Sequence, residues 1–323
     1  MKRCLSIFLL ATAFLVSLTG LSFSCDFCIL SQGISPLETM HGGGIRVNER
    51  YTLLDNVYKG TGKAANPGVK EEFWTTEVTG FYGVTEDFML LGIVPYKKTK
   101  MNGELIVNDD GTLDKDPMTG SRSGLGDIAL LGRYSFVKIH SLDTTTTVAG
   151  IAGVKFATGS TNGKTSDGME YLDSHIQLGT GSTDILLGVS LNHSVRRFSI
   201  SANLLDVIPG KGKFGDTSHK FGNTLNYDLT AKYRVYPDVF APLGPQIFLA
   251  LGVNGELRGK ETVDGATDPN SGGNTTYLSP GVQLVFAPHW VFELSYQHAV
   301  YHNLNGTQLG EKYKTTGGVT YLF

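Results

Sequence analysis

Hydrophobic and polar residues alternate along most of the chain that follows residue 44. The alternation is clearest in residues 224–235, where leucine, tyrosine, alanine and valine at odd positions oppose polar and charged residues at even positions. A period of two places successive side chains on opposite faces of a β-strand. One face of such a strand suits lipid and the other suits water.

Segments of roughly ten to thirteen residues follow this pattern, which is the length of tilted membrane-spanning strands. The links between them alternate between short and long, as do the periplasmic turns and external loops of outer-membrane barrels. The even strand count puts both ends of the barrel on the periplasmic side. We predict about 12 strands, at 45–54, 72–83, 88–97, 124–136, 144–156, 181–193, 197–208, 222–236, 245–258, 275–287, 290–302 and 313–323. The long links are 55–71, 98–123, 157–180, 209–221, 259–274 and 303–312.

The last predicted strand ends on an aromatic residue with no polar tail behind it. Its Gly318, Tyr321 and Phe323 resemble the closing-strand signal by which outer-membrane barrels are recognised for insertion. This resemblance implies the barrel-assembly machinery as a partner. We expect the strand to close the barrel against residues 45–54, with Tyr321 and Phe323 toward lipid and Lys314 toward the lumen.

Composition agrees with a membrane barrel. The chain has 323 residues, 41 glycines, 18% charged residues and a formal net charge of −3, which excludes a disordered chain and gives no general attraction for nucleic acid. Beyond residue 24, no apolar run reaches the roughly 18 residues that a spanning helix needs. Crossing a membrane therefore requires a closed barrel. We predict an all-β fold, an antiparallel transmembrane β-barrel over residues 45–323, in contact with the lipids and lipopolysaccharide of the Gram-negative outer membrane.

The first 24 residues have the layout of a secretory signal peptide. Lys2 and Arg3 precede a long apolar run, and small residues follow it before the expected cleavage point after Ser24. Without cleavage, the same run would be a membrane anchor.

Residues 25–44 are predicted to form a short periplasmic segment with one helical turn. In an oxidising periplasm its Cys25 and Cys28 are candidates for a disulfide. Acylation of Cys25 is the alternative interpretation. Covalent haem is disfavoured because Ile29 stands where the attachment motif requires histidine.

Charged side chains recur on the polar faces of the predicted strands. If the apolar faces meet lipid, these side chains point into the lumen. Both signs are present, so the lumen is not built for solutes of one charge. One interpretation is a ladder of ion pairs that stiffens the wall, and the other is a polar, selective passage. The candidates are Arg46, Arg50, Glu77, Asp127, Arg133, Lys155, Asp184, Asp228, Lys232, Arg234, Glu256, Arg258, Glu293 and Lys314.

The sequence contains only weak matches to catalytic and ligand-binding motifs. Residues 159–165 look like a phosphate-binding loop, but Thr158 stands where the first glycine is required. The acidic stretch 108–116 lacks the first and last ligands of a calcium-binding loop. Ser295 and His298 fall on opposite faces of their predicted strand, which argues against a hydrolase pair. We predict no enzyme, no cofactor and no metal; a hydrolase with distant partners is the third hypothesis.

Three glycine-rich passages carry a family resemblance: GLGDIALLGRYSF (124–136), VKFATG (154–159) and GTGSTDILLG (179–188). Together they resemble the outer-membrane transporter family named for the MetA pathway of phenol degradation, over roughly residues 124–323. The resemblance implies an outer-membrane channel associated with uptake of small aromatic or apolar compounds, and it supplies no binding residues.

From the strand pattern and the family resemblance together we predict a passive channel for small solutes, with external loops narrowing its mouth. The alternative is a barrel scaffold that docks a periplasmic redox partner through the segment containing Cys25 and Cys28.

Overall fold

The computed structural model describes residues 42–108, 110–238, 244–286 and 289–323. Within these residues the chain forms seventeen strands, and no helix is long and apolar enough to cross a membrane. The strands are β1 (Gly43–Gly60), β2 (Gly62–Ala64), β3 (Lys70–Gly83), β4 (Phe88–Val107), β5 (Leu113–Leu125), β6 (Ala129–His140), β7 (Thr144–Lys155), β8 (Asp184–Val195), β9 (Phe198–Ile208), β10 (Gly212–Phe214), β11 (Thr217–Lys220), β12 (Thr224–Tyr236), β13 (Gln246–Arg258), β14 (Thr262–Val263), β15 (Ala266–Thr267), β16 (Gly273–Phe286) and β17 (Trp290–Leu322).

Eleven of these strands form a closed antiparallel barrel in the order β1, β3, β4, β6, β7, β8, β9, β12, β13, β16 and β17, and β17 pairs with β1. Closure is required because an open edge in lipid would leave backbone N–H and C=O groups without hydrogen-bond partners. β5 extends the wall beside β4, while β10, β11, β14 and β15 form a separate small sheet. The predicted all-β barrel is confirmed.

The last element makes two passes of the wall. The first part of β17 pairs with β16 and the second part pairs with β1. The two parts also lie side by side, because the Leu322 amide donates to the His289 carbonyl at 2.7 Å and the rings of Trp290 and Tyr321 are 4.9 Å apart. Counting both passes gives twelve, in agreement with the predicted number.

Two predicted loops are almost entirely strand, and the predicted loop 55–71 also contains the end of β1 and all of β2. Residues 303–312 continue β17, and Gly306, with φ of +58°, allows the chain to reverse within it. Residues 98–123 were expected to be a loop, but β4 runs on to Val107 and β5 returns beside it. Their polar composition suits strands that rise beyond the membrane as well as it suits loops, so the alternation alone could not separate the two.

The outer surface is apolar and the interior is polar, the reverse of a water-soluble sheet. On β1, Ile45 and Val47 are 50% and 46% exposed, whereas Arg46 between them is 5% exposed. Lipid is the solvent for the outer face, so apolar side chains are stable there and charged ones turn inward.

Two rows of aromatic side chains mark the edges of the apolar surface. The outer aromatic row comprises Tyr296, Tyr313, Tyr51, Trp74 and Tyr96; ring centroids are 5.6 Å apart for Tyr296 and Tyr313, 6.0 Å for Tyr313 and Tyr51, and 5.1 Å for Tyr51 and Trp74. The periplasmic row comprises Trp290, Phe292, Tyr321, Phe323 and Tyr82. From Tyr313 to Tyr321 the strand is about 27 Å long, which at a tilt of about 35–45° spans roughly 19–22 Å along the membrane normal, so the two rows lie near the edges of an apolar band of about 25 Å.

The first and last strands close the barrel as predicted. Ile45 is paired with Tyr321, and Lys314 is buried while Tyr321 and Phe323 are exposed on the outer face. At the periplasmic end the amides and carbonyls of Gly43 and Phe323 form two reciprocal hydrogen bonds of 3.0 and 2.9 Å. Residues 1–24, the helical turn, Cys25 and Cys28 lie outside the described residues, so the signal peptide and the disulfide stay predictions.

We expect deletion of Phe323 to lower assembly in the outer membrane more than it alters transport by the molecules that do assemble. The deletion removes both the exposed ring and the hydrogen-bond pair with Gly43. Phe323→Ala is the matched variant, because it removes the ring and keeps the backbone pair. The measurement is the amount of heat-modifiable barrel in outer-membrane fractions. If the ring is the signal, both variants assemble poorly; normal assembly of both would contradict the insertion-signal hypothesis.

Candidate passage through the barrel

All fourteen predicted lumen residues are buried, with exposed fractions between 1% and 8%. All but Asp127, which lies in the link between β5 and β6, are on the inward faces of strands, opposite the exposed apolar residues. Most of them are grouped into a small number of polar networks, which also include residues that the sequence pattern did not single out.

The first network joins β7 and β8 to the link between β5 and β6. The Lys155 ammonium lies 3.2 Å from Asp127, 2.6 Å from Asp184 and 2.7 Å from the Thr180 hydroxyl. The Ser182 hydroxyl donates to Asp184 at 2.6 Å. Two carboxylates share one ammonium, and hydroxyl donors satisfy further lone pairs, so the buried charges are compensated.

The second network lies on the opposite side of the barrel. Glu256 is 2.9 Å from Arg258 and 3.1 Å from Lys314, and Lys314 is also 3.1 Å from Glu311. The Lys314 ammonium lies 4.6 Å from the ring centre of Tyr277. Two acids and two bases thus offset each other. Glu311 was missed because it fell within a predicted loop.

The other predicted residues have varied partners. Arg46 is 2.8 Å from Glu293, which accepts a hydrogen bond from Gln283. Asp228 accepts from Asn203 and Thr230, and Arg133 donates to Ser135 at 3.2 Å. The inward face also carries Arg50, Glu77, Lys232 and Arg234.

One part of the inner wall is apolar, which the predicted polar lumen did not include. Phe81, Leu91, Leu131, Leu186 and Val207 are buried and contact one another within a single hydrophobic cluster. They lie along one row of paired positions across β3, β4, β6, β8 and β9, with Gly153 of β7 in the same row. We call these five side chains the apolar strip. At residues 88–94 both faces of the strand are apolar, so the sequence pattern did not show which side chains point inward.

The link between β7 and β8, residues 157–183, folds over the mouth of the barrel. We call it the mouth loop. Asp127 holds both of its ends, because one carboxylate oxygen accepts from the Gly159 amide at 2.9 Å and the other from the Thr180 amide at 2.8 Å. The ends pack closely, since a Cβ on Gly159 would lie 2.6 Å from the Cα of Gly179. These contacts account for the glycines that resembled a phosphate-binding loop.

The middle of this loop packs against the inward face of β4. Thr99 donates to the Ile176 carbonyl at 2.7 Å. Leu172 and Ile176 are buried against Met101, with Phe73 packed beside them. The loop is therefore fixed by polar contacts at its ends and by apolar contacts at its centre.

The small sheet β10–β11–β14–β15 covers another part of the mouth. Phe214, His219 and Phe221 pack together there, with centroids 5.1 Å apart for Phe214 and His219 and 4.5 Å for His219 and Phe221. His219 is 2.9 Å from the buried Glu261.

His175 of the mouth loop faces this sheet, 3.8 Å from Asp173 of the same loop and 3.9 Å from Glu261. Burial lowers the pKa of His175, but the neighbouring carboxylates raise it by more, so the net shift is upward. The attraction between the protonated imidazole and Glu261 is present below this raised pKa and is lost as pH rises through it.

A cavity of about 1070 Å³, including space open to solvent, lies between the mouth loop and the wall. Its apolar lining is Phe73, Ile93, Pro95, Val207 and Phe221, and its polar lining includes Lys97, Lys155, Glu77 and His175. Val207 also belongs to the apolar strip, so the cavity leads directly to it.

The weaker chemical motifs have structural explanations. Asp110 accepts hydrogen bonds from the amide and hydroxyl of Thr112, as expected of a turn between β4 and β5. Ser295 is buried in the lumen whereas His298 is exposed on the outer face, so these two do not form a catalytic pair. Within the described ranges, no group of three or more histidines, cysteines and acids is placed to hold a metal ion.

Comparison with solved structures shows the same fold. The chain is similar to an outer membrane channel from Pseudomonas putida F1, with a TM-score of 0.64, 13% identity, and coverage of 93% of this chain and 100% of that one. More distant similarities are to the transport unit of the autotransporter AIDA-I from Escherichia coli (TM-score 0.47, 8% identity, 90% and 93% coverage) and to the CymD monoaromatic hydrocarbon channel (0.41, 13%, 93% and 95%). No curated protein is close enough in sequence to count as a relative.

An antiparallel barrel of this architecture is a protein of the Gram-negative outer membrane. The family profile for the MetA-pathway of phenol degradation matches residues 57–312, which is most of the barrel. This match starts earlier than the three glycine-rich passages and includes all of them. The chain therefore belongs to the family of the MetA-pathway of phenol degradation.

Proposed function

We propose that the protein is a passive outer-membrane channel for small aromatic or apolar solutes. The observation that carries this proposal is the apolar strip on the inner wall. A wall of ion pairs alone would stiffen the barrel, but the apolar strip makes part of the inner wall apolar and continues from Val207 in the lining of the cavity. An apolar solute that displaces these packed side chains would meet an apolar route. Membership of the family and the outer-membrane fold support the same function.

The strip offers weak binding, which suits transport. Transfer of apolar surface from water releases roughly 25 cal/mol per Å². An aromatic ring that buries about 100 Å² against the strip would gain about 2.5 kcal/mol. Such binding is strong enough to favour entry and weak enough to permit release. The second network, on the opposite side of the barrel, gives the lumen a polar wall that faces the strip.

The proposed route starts at the cavity beneath the mouth loop. A solute passing Phe221 would contact Val207 and Ile93, and then the remainder of the apolar strip. A barrel with twelve passes has a narrow lumen, so residues 157–183 would set the constriction. The scaffold hypothesis depends on Cys25 and Cys28, which lie outside the described residues, and no contact described above favours it.

The channel proposal is tested with the mature protein refolded into planar bilayers. We expect ion conductance that benzyl alcohol blocks transiently and that arabinose at the same concentration blocks much less. Leu131→Gln should weaken the aromatic block about tenfold, because it places an amide in the apolar strip. Ser295→Ala is the control, since it changes the polar wall and should leave the block unchanged. A folded barrel closed to ions and to both solutes would refute the proposal.

A second test concerns the mouth loop. Replacing residues 164–176 by a short Gly-Ser linker removes Leu172 and Ile176 from the mouth, and we expect single-channel conductance to rise severalfold. The control shortens the exposed turn at residues 108–112 between β4 and β5, which should leave conductance unchanged. Equal conductance of the two variants and the unmodified protein would show that the mouth loop is not the constriction.

A further inference from the structure

A group of lysines lies on the outer face of the barrel, beyond the outer aromatic row. Lys98 and Lys100 are exposed on β4, and Lys70 is partly exposed on β3. All three lie on the lipid-facing side of their strands, in line with the exposed Val94 and Tyr96 of β4. We call Lys70, Lys98 and Lys100 the lysine patch.

The patch is joined to the aromatic row by direct contacts. Lys98 is paired in register with Trp74, and its ammonium lies 5.5 Å from the centre of the indole ring. A cation at this distance from an aromatic face is held in a defined position. The Lys98 side chain therefore lies along the outer surface of the barrel, next to the outer aromatic row.

The nearby carboxylates already have partners. Glu72, opposite Lys100, is 3.0 Å from Lys70 and accepts a hydrogen bond from the Tyr51 hydroxyl at 2.8 Å. Glu49, closer to the membrane centre, accepts from Thr76. Among the described residues no carboxylate lies within ion-pair distance of Lys98 or Lys100, although Glu72 interacts electrostatically with Lys100 as well as with Lys70. Three ammonium groups against the one carboxylate of Glu72 leave a positive charge that an anion can neutralise.

The level of these lysines relative to the membrane identifies the anion. Each step of two residues along a strand is about 6.8 Å, or about 5 Å along the membrane normal at a tilt near 45°. Lys98 then lies about 5 Å and Lys100 about 10 Å beyond Tyr96, where headgroups replace acyl chains. The anions at that level in the external leaflet of a Gram-negative outer membrane are the phosphates of its glycolipid.

We propose that Lys98 and Lys100 of the lysine patch bind a phosphate of the outer-leaflet glycolipid, lipopolysaccharide, while Trp74 and Tyr51 pack against the adjoining part of the same molecule. The site is confined to one side of the barrel. Outward positions near the external ends of β12 and β13 carry Leu225, Tyr227 and Leu257, which offer no charge to a phosphate. The proposal is independent of the solute that the channel transports.

The test compares lipid A bearing both phosphates with the same lipid after enzymatic dephosphorylation. Purified full-length mature protein in detergent is titrated with each lipid, and bound lipid is counted by native mass spectrometry. We expect the unmodified protein to bind the phosphorylated lipid about tenfold more tightly, and we expect added salt to reduce the difference. Equal affinity for the two lipids would overturn the proposal without the use of any variant.

Variants then locate the site. Lys98→Gln with Lys100→Gln should abolish the preference for phosphorylated lipid, and Lys98→Arg with Lys100→Arg should retain it. Lys312→Gln is the matched control: this lysine is on the same external rim, but it lies 2.8 Å from Asp55 and its charge is already neutralised. A loss of preference in the control as large as in the double glutamine variant would also overturn the proposal.

Discussion

The structure depends on one constraint, which is that a sheet immersed in lipid has no water to satisfy its backbone. Every N–H and C=O of the wall must find a partner in a neighbouring strand. The pairing of β17 with β1 over Gly44 to Gly60 meets this condition and turns an open sheet into a barrel. Once the barrel is closed, the outer face has to be largely apolar across the membrane, and most charged side chains of the wall turn inward.

A polar interior then requires its own compensation. Lys155, set between Asp127 and Asp184, and Lys314, set between Glu256 and Glu311, show how charges are kept in a space from which much water is excluded. Removing one partner of such a buried group typically costs about 3–5 kcal/mol, whereas exposed pairs contribute about 0–1 kcal/mol. The apolar strip crosses β7 and β8 one inward position away from the Lys155–Asp184 pair, and the second network faces it across the barrel. The inner wall thus carries apolar and polar sections side by side.

Much of this organisation could be predicted from alternation. Residues 224–235 have one polar and one apolar face, so the inward position of Asp228 and Lys232 follows from the pattern alone. Residues 88–94 are apolar on both faces, and only the register with β3 and β6 shows that Leu91 faces inward. Glu311 lies in a polar stretch whose composition is equally typical of a strand and of a loop. The polarity of the residues indicates whether each face of a strand meets lipid or water. It does not distinguish a strand that extends beyond the membrane from a loop, because both are polar.

The contacts of the mouth loop determine which charged groups stay paired inside the barrel when the loop moves away from the mouth. Asp127 and Lys155 hold the loop through Gly159 and Thr180, but they are also 3.2 Å from each other, and Lys155 keeps Asp184 at 2.6 Å. Lifting residues 157–183 would therefore expose hydrogen-bonding groups to incoming water without stranding an isolated charge inside the barrel. Opening would break the hydrogen bonds that Asp127 and Thr99 make to the loop and would also pull Leu172 and Ile176 away from Met101. An apolar solute that enters the mouth competes for the apolar part of these contacts, so the solute itself favours the open arrangement.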